Sequence, residues 1–378
     1  MNMKKSILIK VFGDKNWAGG LYYAKNIAFI LSQNKKIVNN YKIIVLTNTE
    51  TNEMFTDPNI DIECIKTKHN RVFMYMELLK IIIQYNVRFI FPMDKGLNFL
   101  GVNSISWIPD FQHNYFPDFF TEEELDQRDI RYNKLFLQSN PLVLSSNDCK
   151  NDFYKFYGKK KAIYVVPFVS YIADYLKKID EKLEKEVCEK YAVEPYKYIV
   201  IANQFWKHKN HKLVLESIQH IFRHNKHFDL KFIFTGRINL SDNSSLSNQI
   251  NLLLQDDIIS RKVAILGFVE RLEQIVLLKN AAFIIQPSLF EGWGTVLEDA
   301  KVLDKTVLLS DIPVHREQMN KKCILFDPHN AEKLVELIEC EYKKEHIDDV
   351  NKGINDMYVR AKQYSVGFEQ LLNDFDKG

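Results

Sequence analysis

Short apolar runs rich in β-branched and aromatic residues alternate with longer segments of helical periodicity along almost the whole chain. This alternation is typical of βαβ units built on a parallel sheet. In the first half it predicts strands over 6–12, 42–47, 88–92, 104–108 and 142–145, with a last run over 164–167. The helices predicted between them cover 20–32, 72–84 and 147–156.

A charged segment separates this series from a second one. Residues 177–190 read KKIDEKLEKEVCEK, and opposite charges four positions apart suit a solvated helix or a linker. The second series predicts strands over 198–202, 231–235, 263–266, 283–286 and 306–309. Its helices are predicted from 211, over 246–254, over 271–280 and from 295. We therefore predict two α/β domains, 1–176 and 196–350, joined by a linker over 177–195, with C-terminal helices over 351–378 that pack back on the first domain.

Length and charge agree with a chain of two α/β domains. A chain of 378 residues exceeds what one hydrophobic core usually supports. The 51 Lys and Arg residues nearly balance the 49 Asp and Glu residues, so no nucleic-acid partner is expected. The five cysteines are scattered without a C-x-x-C pair, which indicates free thiols. No apolar run is long enough to cross a bilayer and the N-terminus does not read as a signal peptide, so we expect a cytoplasmic protein that at most contacts the inner face of the membrane.

The most informative segment is QPSLFEGWGTVLE, residues 286–298, in which a predicted strand leads through a glycine-bearing loop into a helix. Open α/β sheets bind ligands beyond the carboxyl ends of their strands. Gly292 and Gly294 allow close approach of the backbone, and the carboxylates of Glu291 and Glu298 suit sugar and ribose hydroxyls. The alternative is an ordinary strand-to-helix turn with Glu298 on a solvated face.

Several segments in order resemble one known family. PSLFEGWGTVLEDA (287–300) followed by LLSDIPVHREQ (308–318) resembles the donor-site signature of glycosyltransferase family 4, also called glycosyltransferase group 1. The other matching segments are GG (19–20), IPDFQH (108–113), NQFWKHKNHKLVLES (203–217), FTGR (234–237) and ILGFVERLEQI (265–275). The resemblance spans nearly the whole chain.

The resemblance implies a GT-B fold, in which two Rossmann-like doubly wound domains face each other across a cleft. It implies that the first domain takes the acceptor and the second a nucleotide-diphosphate sugar. The expected reaction is transfer of the sugar, with retention at the anomeric carbon, to a hydroxyl of a glycan or lipid-linked acceptor. A role in surface polysaccharide biosynthesis is the expectation that follows. The alternatives are a nucleotide-sugar epimerase of the same fold and a catalytically silent partner subunit.

The resemblance also assigns roles to residues between 291 and 298. It implies that Glu298 holds the donor ribose, and that Glu291 with the backbone of Gly292, Trp293, Gly294 and Thr295 holds the transferred sugar. The family usually has seven residues between the two glutamates, whereas six intervene here. This shift affects Glu298 more than Glu291 and makes Asp299 a substitute.

The remaining donor contacts are implied in three other loops. Lys209 matches the diphosphate lysine, and a cation there stabilises the charge that grows on the leaving group. Gln204 stands where many relatives have an arginine, so Arg237 is expected as the second cation. Gly267, Phe268 and Val269 match the loop over the base. Taken alone, KHKNHK (207–212) also reads as a solvated basic turn.

In the first half, Gly19 and Gly20 open a helix after the first strand, where backbone can approach a phosphate or sugar. Asp110 and His113 follow a predicted strand, and the resemblance implies contacts with the donor sugar and acceptor. A lone histidine is more often structural than catalytic, but the loop position and the resemblance leave both interpretations open for His113. The chain has no D-x-D at a strand end and no third ligand near His208 and His211, so we expect catalysis without a metal and no cofactor beyond the sugar nucleotide.

Overall fold

The computed structural model describes residues 3–11, 18–47, 55, 61–66, 71–97, 100–138, 140–158, 161–225, 227–238 and 245–376. The chain divides into two compact units. The first consists of Met1–Tyr171 with Met357–Gly378, and the second is Ile172–Asp356.

The first unit is built on parallel strands. Its larger sheet has the order β3-β2-β1-β4-β5, and a three-stranded sheet has the order β6-β7-β8. Ile105 lies between β5 and β6 and bonds through its backbone to Ile90 and Met93, at 2.8 and 2.7 Å. The strands are β1 Lys5–Lys10, β2 Tyr41–Thr47, β3 Glu63–Lys66, β4 Val87–Phe91, β5 Asn103–Ser104, β6 Ser106–Ile108, β7 Leu142–Leu144 and β8 Ile163–Val165. The helices before residue 171 are α1 Ala18–Ser32, α2 Lys35–Asn40, α3 Arg71–Gln84, α4 Gln112–Tyr115, α5 Glu122–Leu137 and α6 Asn147–Tyr157.

Helix α5 has no counterpart in the sequence prediction. Thr121 and Glu124 form a capping box at its start, in which each side chain accepts from the other's backbone amide. Three consecutive glutamates in the first turn, Glu122 to Glu124, further favour a helix start through the helix dipole. The signal T-E-E-E was present in the sequence. The helix was not predicted because it lacks a long apolar face. Among its described side chains, only Tyr132 and Leu135 are buried.

The second unit contains one six-stranded parallel sheet with the order β11-β10-β9-β12-β13-β14. Its strands are β9 Tyr198–Ala202, β10 Lys231–Thr235, β11 Val263–Ile265, β12 Phe283–Gln286, β13 Val307–Ser310 and β14 Cys323–Phe326. Its helices are α7 Ala173–Leu176, α8 Glu181–Lys190, α9 His211–His224, α10 Ser245–Leu253, α11 Asp257–Lys262, α12 Arg271–Asn280, α13 Thr295–Val302, α14 Pro313–Gln318 and α15 Ala331–Tyr342. The strand order reverses direction between β9 and β12, which makes this gap the topological switch point of the sheet.

The segment predicted as a linker, 177–195, belongs to the second unit. Helix α8 within it buries Val187 and Cys188. Glu273 of α12 accepts from the Lys190 amine at 2.6 Å and from the Tyr191 hydroxyl at 2.6 Å. The charge pattern that suggested a solvated linker therefore describes only the outer face of a packed helix, and the boundary lies at 171/172 instead of 176/177.

The predicted C-terminal helices form one helix, α16 Val350–Phe375. It begins in the second unit, and from Met357 onward it is part of the first. Asp376, directly after it, accepts from the amine of Lys5 at 2.9 Å and from the guanidinium of Arg88 at 3.0 Å. Among the helices in the described ranges, none combines the length and the hydropathy needed to cross a membrane.

Candidate functional site

The carboxyl ends of β9 and β12 are tied together at the switch point of the second unit. Asn203, directly after β9, and Gln286, the last residue of β12, exchange two amide hydrogen bonds of 3.0 and 3.1 Å. Both side chains are buried. The loops that leave these two strands therefore start from a fixed point, at the place where open α/β sheets bind their ligands.

Lys209 and Glu291 meet at this point. Lys209 ends the 3-10 turn Lys207–Lys209 after β9, and its amine lies 2.6 Å from Oε1 of Glu291 in the loop after β12. Their side chains are 13% and 9% exposed. The same carboxylate oxygen accepts from Ser288 at 2.7 Å and from Gln286 at 3.1 Å. The structure thus brings the two most strongly predicted site residues into direct contact.

Glu291 remains ionised in this environment. Burial is the largest single influence and raises the pKa of the carboxyl, but the charge of Lys209, the nearby His208 and His315 and the hydrogen bond from Lys209 together outweigh it and lower the pKa to about 2. At neutral pH the site therefore holds a carboxylate beside an ammonium, both largely removed from water.

The ion pair of Lys209 and Glu291 should make the stability of the protein depend on pH. Because the pKa of Glu291 is lower in the folded state than its ordinary 4.5, the ionised group stabilises the fold above pH 4.5, and this contribution disappears as the pH falls toward about 2. We expect Glu291→Gln to be less stable than the wild type above pH 5, and the difference to shrink steadily below pH 4.5. Urea unfolding of both proteins between pH 7 and pH 3 measures this. A difference independent of pH would contradict the ionised state.

Two buried histidines, His211 and His315, and the half-buried His208 lie near the pair and are neutral at neutral pH. Burial lowers the pKa of His208 to about 4, that of His211 to about 3 and that of His315 to about 4. The ring of His211 stacks on Phe205 with centroids 4.1 Å apart. His315 was not singled out from the sequence, although it lies within the HREQ motif. These rings shape the site, and Lys209 supplies its positive charge.

The loop from Glu291 to Gly294 leads into α13. Gly294 donates its amide to Oε1 of Gln318 at 3.0 Å, and Nε2 of Gln318 donates back to the Gly294 carbonyl at 2.7 Å. Trp293 is buried, and Thr295 is the first residue of the helix. Gln318 therefore holds the backbone at the point where the loop of Glu291 enters α13, and helix starts suit anionic or hydroxyl-rich ligands.

The second glutamate of the predicted site is fully buried. The amine of Lys301 lies 2.5 Å from Oε1 of Glu298, and Gln318 donates to the same oxygen at 3.0 Å. Asp299, the predicted substitute, is also fully buried and receives two hydrogen bonds of 2.7 and 2.6 Å from Arg271. The alternative that placed Glu298 on a solvated face is wrong. Its predicted contact with a donor ribose stays a prediction.

Gly236 lets the loops after β9 and β10 touch. Its φ is +127°, and a Cβ on it would lie 2.1 Å from the carbonyl oxygen of Asn203, so that a side chain cannot be accommodated. This approach allows Oε1 of Gln204 to accept from the backbone amide of Arg237 at 2.9 Å. Gln204 therefore supports the backbone at Arg237 instead of supplying a charge.

Arg237 lies against the loop predicted to cover the base. Its guanidinium lies 5.0 Å from the ring centre of Phe268, which is 47% exposed. The carbonyl of Gly267 accepts from the amide of Gly236 at 2.7 Å, and Val269 is buried. A flat cationic and aromatic surface thus stands at the carboxyl ends of β10 and β11.

The other predicted residues lie in the first unit. Gly19 and Gly20 are in the first turn of α1. Asp110 accepts from the backbone amide of Gln112 at 3.0 Å and so supports the start of α4. His113 is 3% exposed and packs against the ring of Tyr132, with centroids 5.3 Å apart. Burial lowers the pKa of His113 to about 4, so its ring is neutral at neutral pH. Among the described residues, no group of three or more His, Cys, Asp and Glu side chains forms a potential metal site.

Comparison with known proteins finds a family model that matches part of this chain. Residues 184–352 match the family model of glycosyl transferases group 1. No curated protein matches the chain by sequence. Among solved structures, a glycosyltransferase from Rickettsia africae ESF-5 is similar with a TM-score of 0.63 and 17% identity, over 100% of this chain and 99% of the other.

Two further structures are similar at the same level. Anabaena HepE in complex with UDP and glucose has a TM-score of 0.62 and 13% identity, over 99% of this chain and 100% of the other. WaaG, a glycosyltransferase involved in lipopolysaccharide biosynthesis, has a TM-score of 0.59 and 13% identity, over 99% and 100%. These likenesses confirm the predicted GT-B fold class, while family 4 within the group stays a prediction. Residues 184–352 of this chain therefore match the family model of glycosyl transferases group 1, and the solved structures show the fold that goes with it.

Proposed function

We propose that the protein is a retaining glycosyltransferase that moves a sugar from a nucleotide-diphosphate sugar to a hydroxyl of a glycan or lipid-linked acceptor. The observation that carries the proposal is the buried pair of Lys209 and Glu291 at the switch point of the second unit, inside the region that matches the family. A cation for a diphosphate and a carboxylate for sugar hydroxyls stand side by side where such sheets bind ligands.

When the proposed donor binds, Lys209 and Glu291 exchange their contact with each other for contacts with the donor. A diphosphate oxygen takes over the amine of Lys209, and Glu291 accepts hydrogen bonds from hydroxyls of the sugar. Because the pKa of Glu291 is held near 2, this carboxylate is suited to accept such bonds and not to protonate the leaving group. Lys209 then faces the phosphate on which negative charge grows as the bond breaks.

In the proposed reaction, the bond between the anomeric carbon and the phosphate oxygen breaks while the acceptor oxygen bonds to that carbon from the same face. The leaving phosphate oxygen takes the proton of the acceptor hydroxyl. Lys209 stabilises the departing diphosphate, and Arg237 is the second cation that we propose for it. With these side chains in place, we propose that the hexosyl transfer proceeds without a metal or a further cofactor.

We also propose a role in surface polysaccharide biosynthesis, since WaaG is described as a glycosyltransferase of lipopolysaccharide biosynthesis. All five cysteines are free, which agrees with a reducing compartment such as the cytoplasm. Contact with the inner face of the membrane is part of this proposal and follows from a lipid-linked acceptor.

Binding of the donor nucleotide tests the proposal directly. We expect UDP, GDP or ADP, or a sugar conjugate of one of them, to raise the melting temperature, since a ligand at 100 times its Kd adds about 2.7 kcal/mol of stability. UDP is tried first, because HepE is described in complex with UDP. The shift should persist in EDTA. If no nucleotide series shifts the melting temperature, the proposed function fails, and conversion of the sugar nucleotide without release of nucleotide would indicate an epimerase.

A further inference from the structure

Gln318 holds the backbone of the donor loop, which we define as residues 291–294. The side chain is 1% exposed at the end of α14. Its amide receives the Gly294 N–H at 3.0 Å and returns an N–H to the Gly294 carbonyl at 2.7 Å. Such a reciprocal pair fixes both the position and the tilt of one peptide segment, as neighbouring strands do for each other. The last residue of the loop is therefore held by a side chain from a different element.

The orientation of this amide is set by the buried ion pair beside it. Nε2 of Gln318 donates to Glu298 at 3.0 Å as well as to Gly294, so both of its protons have acceptors. A flipped amide would point its oxygen at two acceptors, which is unfavourable. The amine of Lys301 binds Glu298 at 2.5 Å and the main-chain carbonyl of Gln318 at 3.0 Å. The ion pair of Glu298 and Lys301 therefore fixes the orientation of the Gln318 amide, and this amide fixes the backbone at Gly294.

We propose that Gln318 is a positioning residue for donor binding, with Glu298 and Lys301 fixing the orientation of its amide. This inference rests on the proposed function, in which Glu291, the first residue of the loop, accepts hydrogen bonds from hydroxyls of the transferred sugar. A site whose donors are in place before the ligand arrives loses no free energy to ordering them. In this arrangement Oε1 of Glu298 supports the loop through the amide of Gln318.

The test replaces Gln318 by methionine, which keeps the length and approximate volume of the side chain but removes the amide. We expect the donor KM to rise roughly tenfold, as for the loss of a pair of hydrogen bonds. We expect kcat to change by less than about threefold, because the loop contributes to binding in the ground state and the transition state alike. Hydrogen exchange of the Gly294 amide should become at least about tenfold faster.

Arg316→Met is the matched control, because Arg316 lies on the same short helix and pairs with Asp311 at the surface. It should leave the donor KM and the Gly294 exchange rate unchanged. If Gln318→Met does not fold, Gln318→Asn, which withdraws the amide by one methylene, is measured in the same way. A purely structural role would lower the melting temperature without changing the donor KM, and that result overturns the inference. A wild-type protein that neither binds nor uses any sugar nucleotide overturns the proposed function first, and this inference with it.

Discussion

We expect Lys209→Ala to lower the rate of sugar transfer by about 10²–10³-fold, as removal of one preorganised charge-stabilising donor typically does. Lys209 is 13% exposed and already desolvated, so its charge acts on the leaving diphosphate with little screening by water. The loss should fall mainly on kcat, because the charge on the phosphate is largest in the transition state. Steady-state kinetics with the donor identified by thermal shift measure the effect.

Lys212→Ala is the control for this change. Lys212 lies three residues further along, is 69% exposed and pairs at the surface with Glu216. Its removal should leave transfer within about twofold of the wild type. Lys209→Arg, which keeps the charge, should recover part of the lost rate. If Lys209→Ala transfers sugar at a near-normal rate, this lysine does not stabilise the leaving group and the proposed mechanism is wrong.

The largest effect on stability should come from Arg271→Met. Arg271 is the partner of Asp299, whose side chain is fully buried, and the two hydrogen bonds between them are 2.7 and 2.6 Å. Removing one partner of a buried pair leaves an uncompensated charge and typically costs about 3–5 kcal/mol. Hydrogen exchange of the core amides in β9 and β12 measures the decrease in the free energy of unfolding of the second unit.

A second Arg–Asp pair in the same unit provides the comparison. Arg316 and Asp311 form a two-point contact, but the side chain of Arg316 is 60% exposed. Arg316→Met should leave the exchange rates of the same core amides unchanged, because exposed pairs contribute little. Equal losses in the two variants would show that burial does not set the strength of these pairs.

The fold was predictable because hydrophobic periodicity records which strands are buried on both faces. The strands 198–202, 231–235 and 283–286 were predicted with the bounds that the structure shows. Strand β3, Glu63–Lys66, was missed because its residues are half-buried or exposed at the edge of the sheet and show no apolar run. Strand β14, Cys323–Phe326, is an edge strand of the six-stranded sheet and was missed too.

The sequence predicted only those features of the site that lie within a single segment of the chain. The loops of Lys209 and Glu291 each follow a strand, so the sequence placed both at the same edge of a sheet. The resemblance assigned Glu298 to the donor ribose, and nothing in its own segment shows that Lys301, one turn away, and Gln318, on another helix, converge on it. Burial of this kind depends on packing between distant elements, which local patterns do not contain.

The course of α16 bears on the order in which the chain can fold during synthesis. The first unit needs residues beyond Met357, because Asp376 bonds to Lys5 of its first strand and to Arg88 of its fourth. A ribosome delivers Ile172–Asp356 before those residues emerge. The unit that begins translation is therefore completed last, and a nascent chain of which residues up to Asp356 have emerged contains the whole second unit while the first unit still lacks Met357–Gly378.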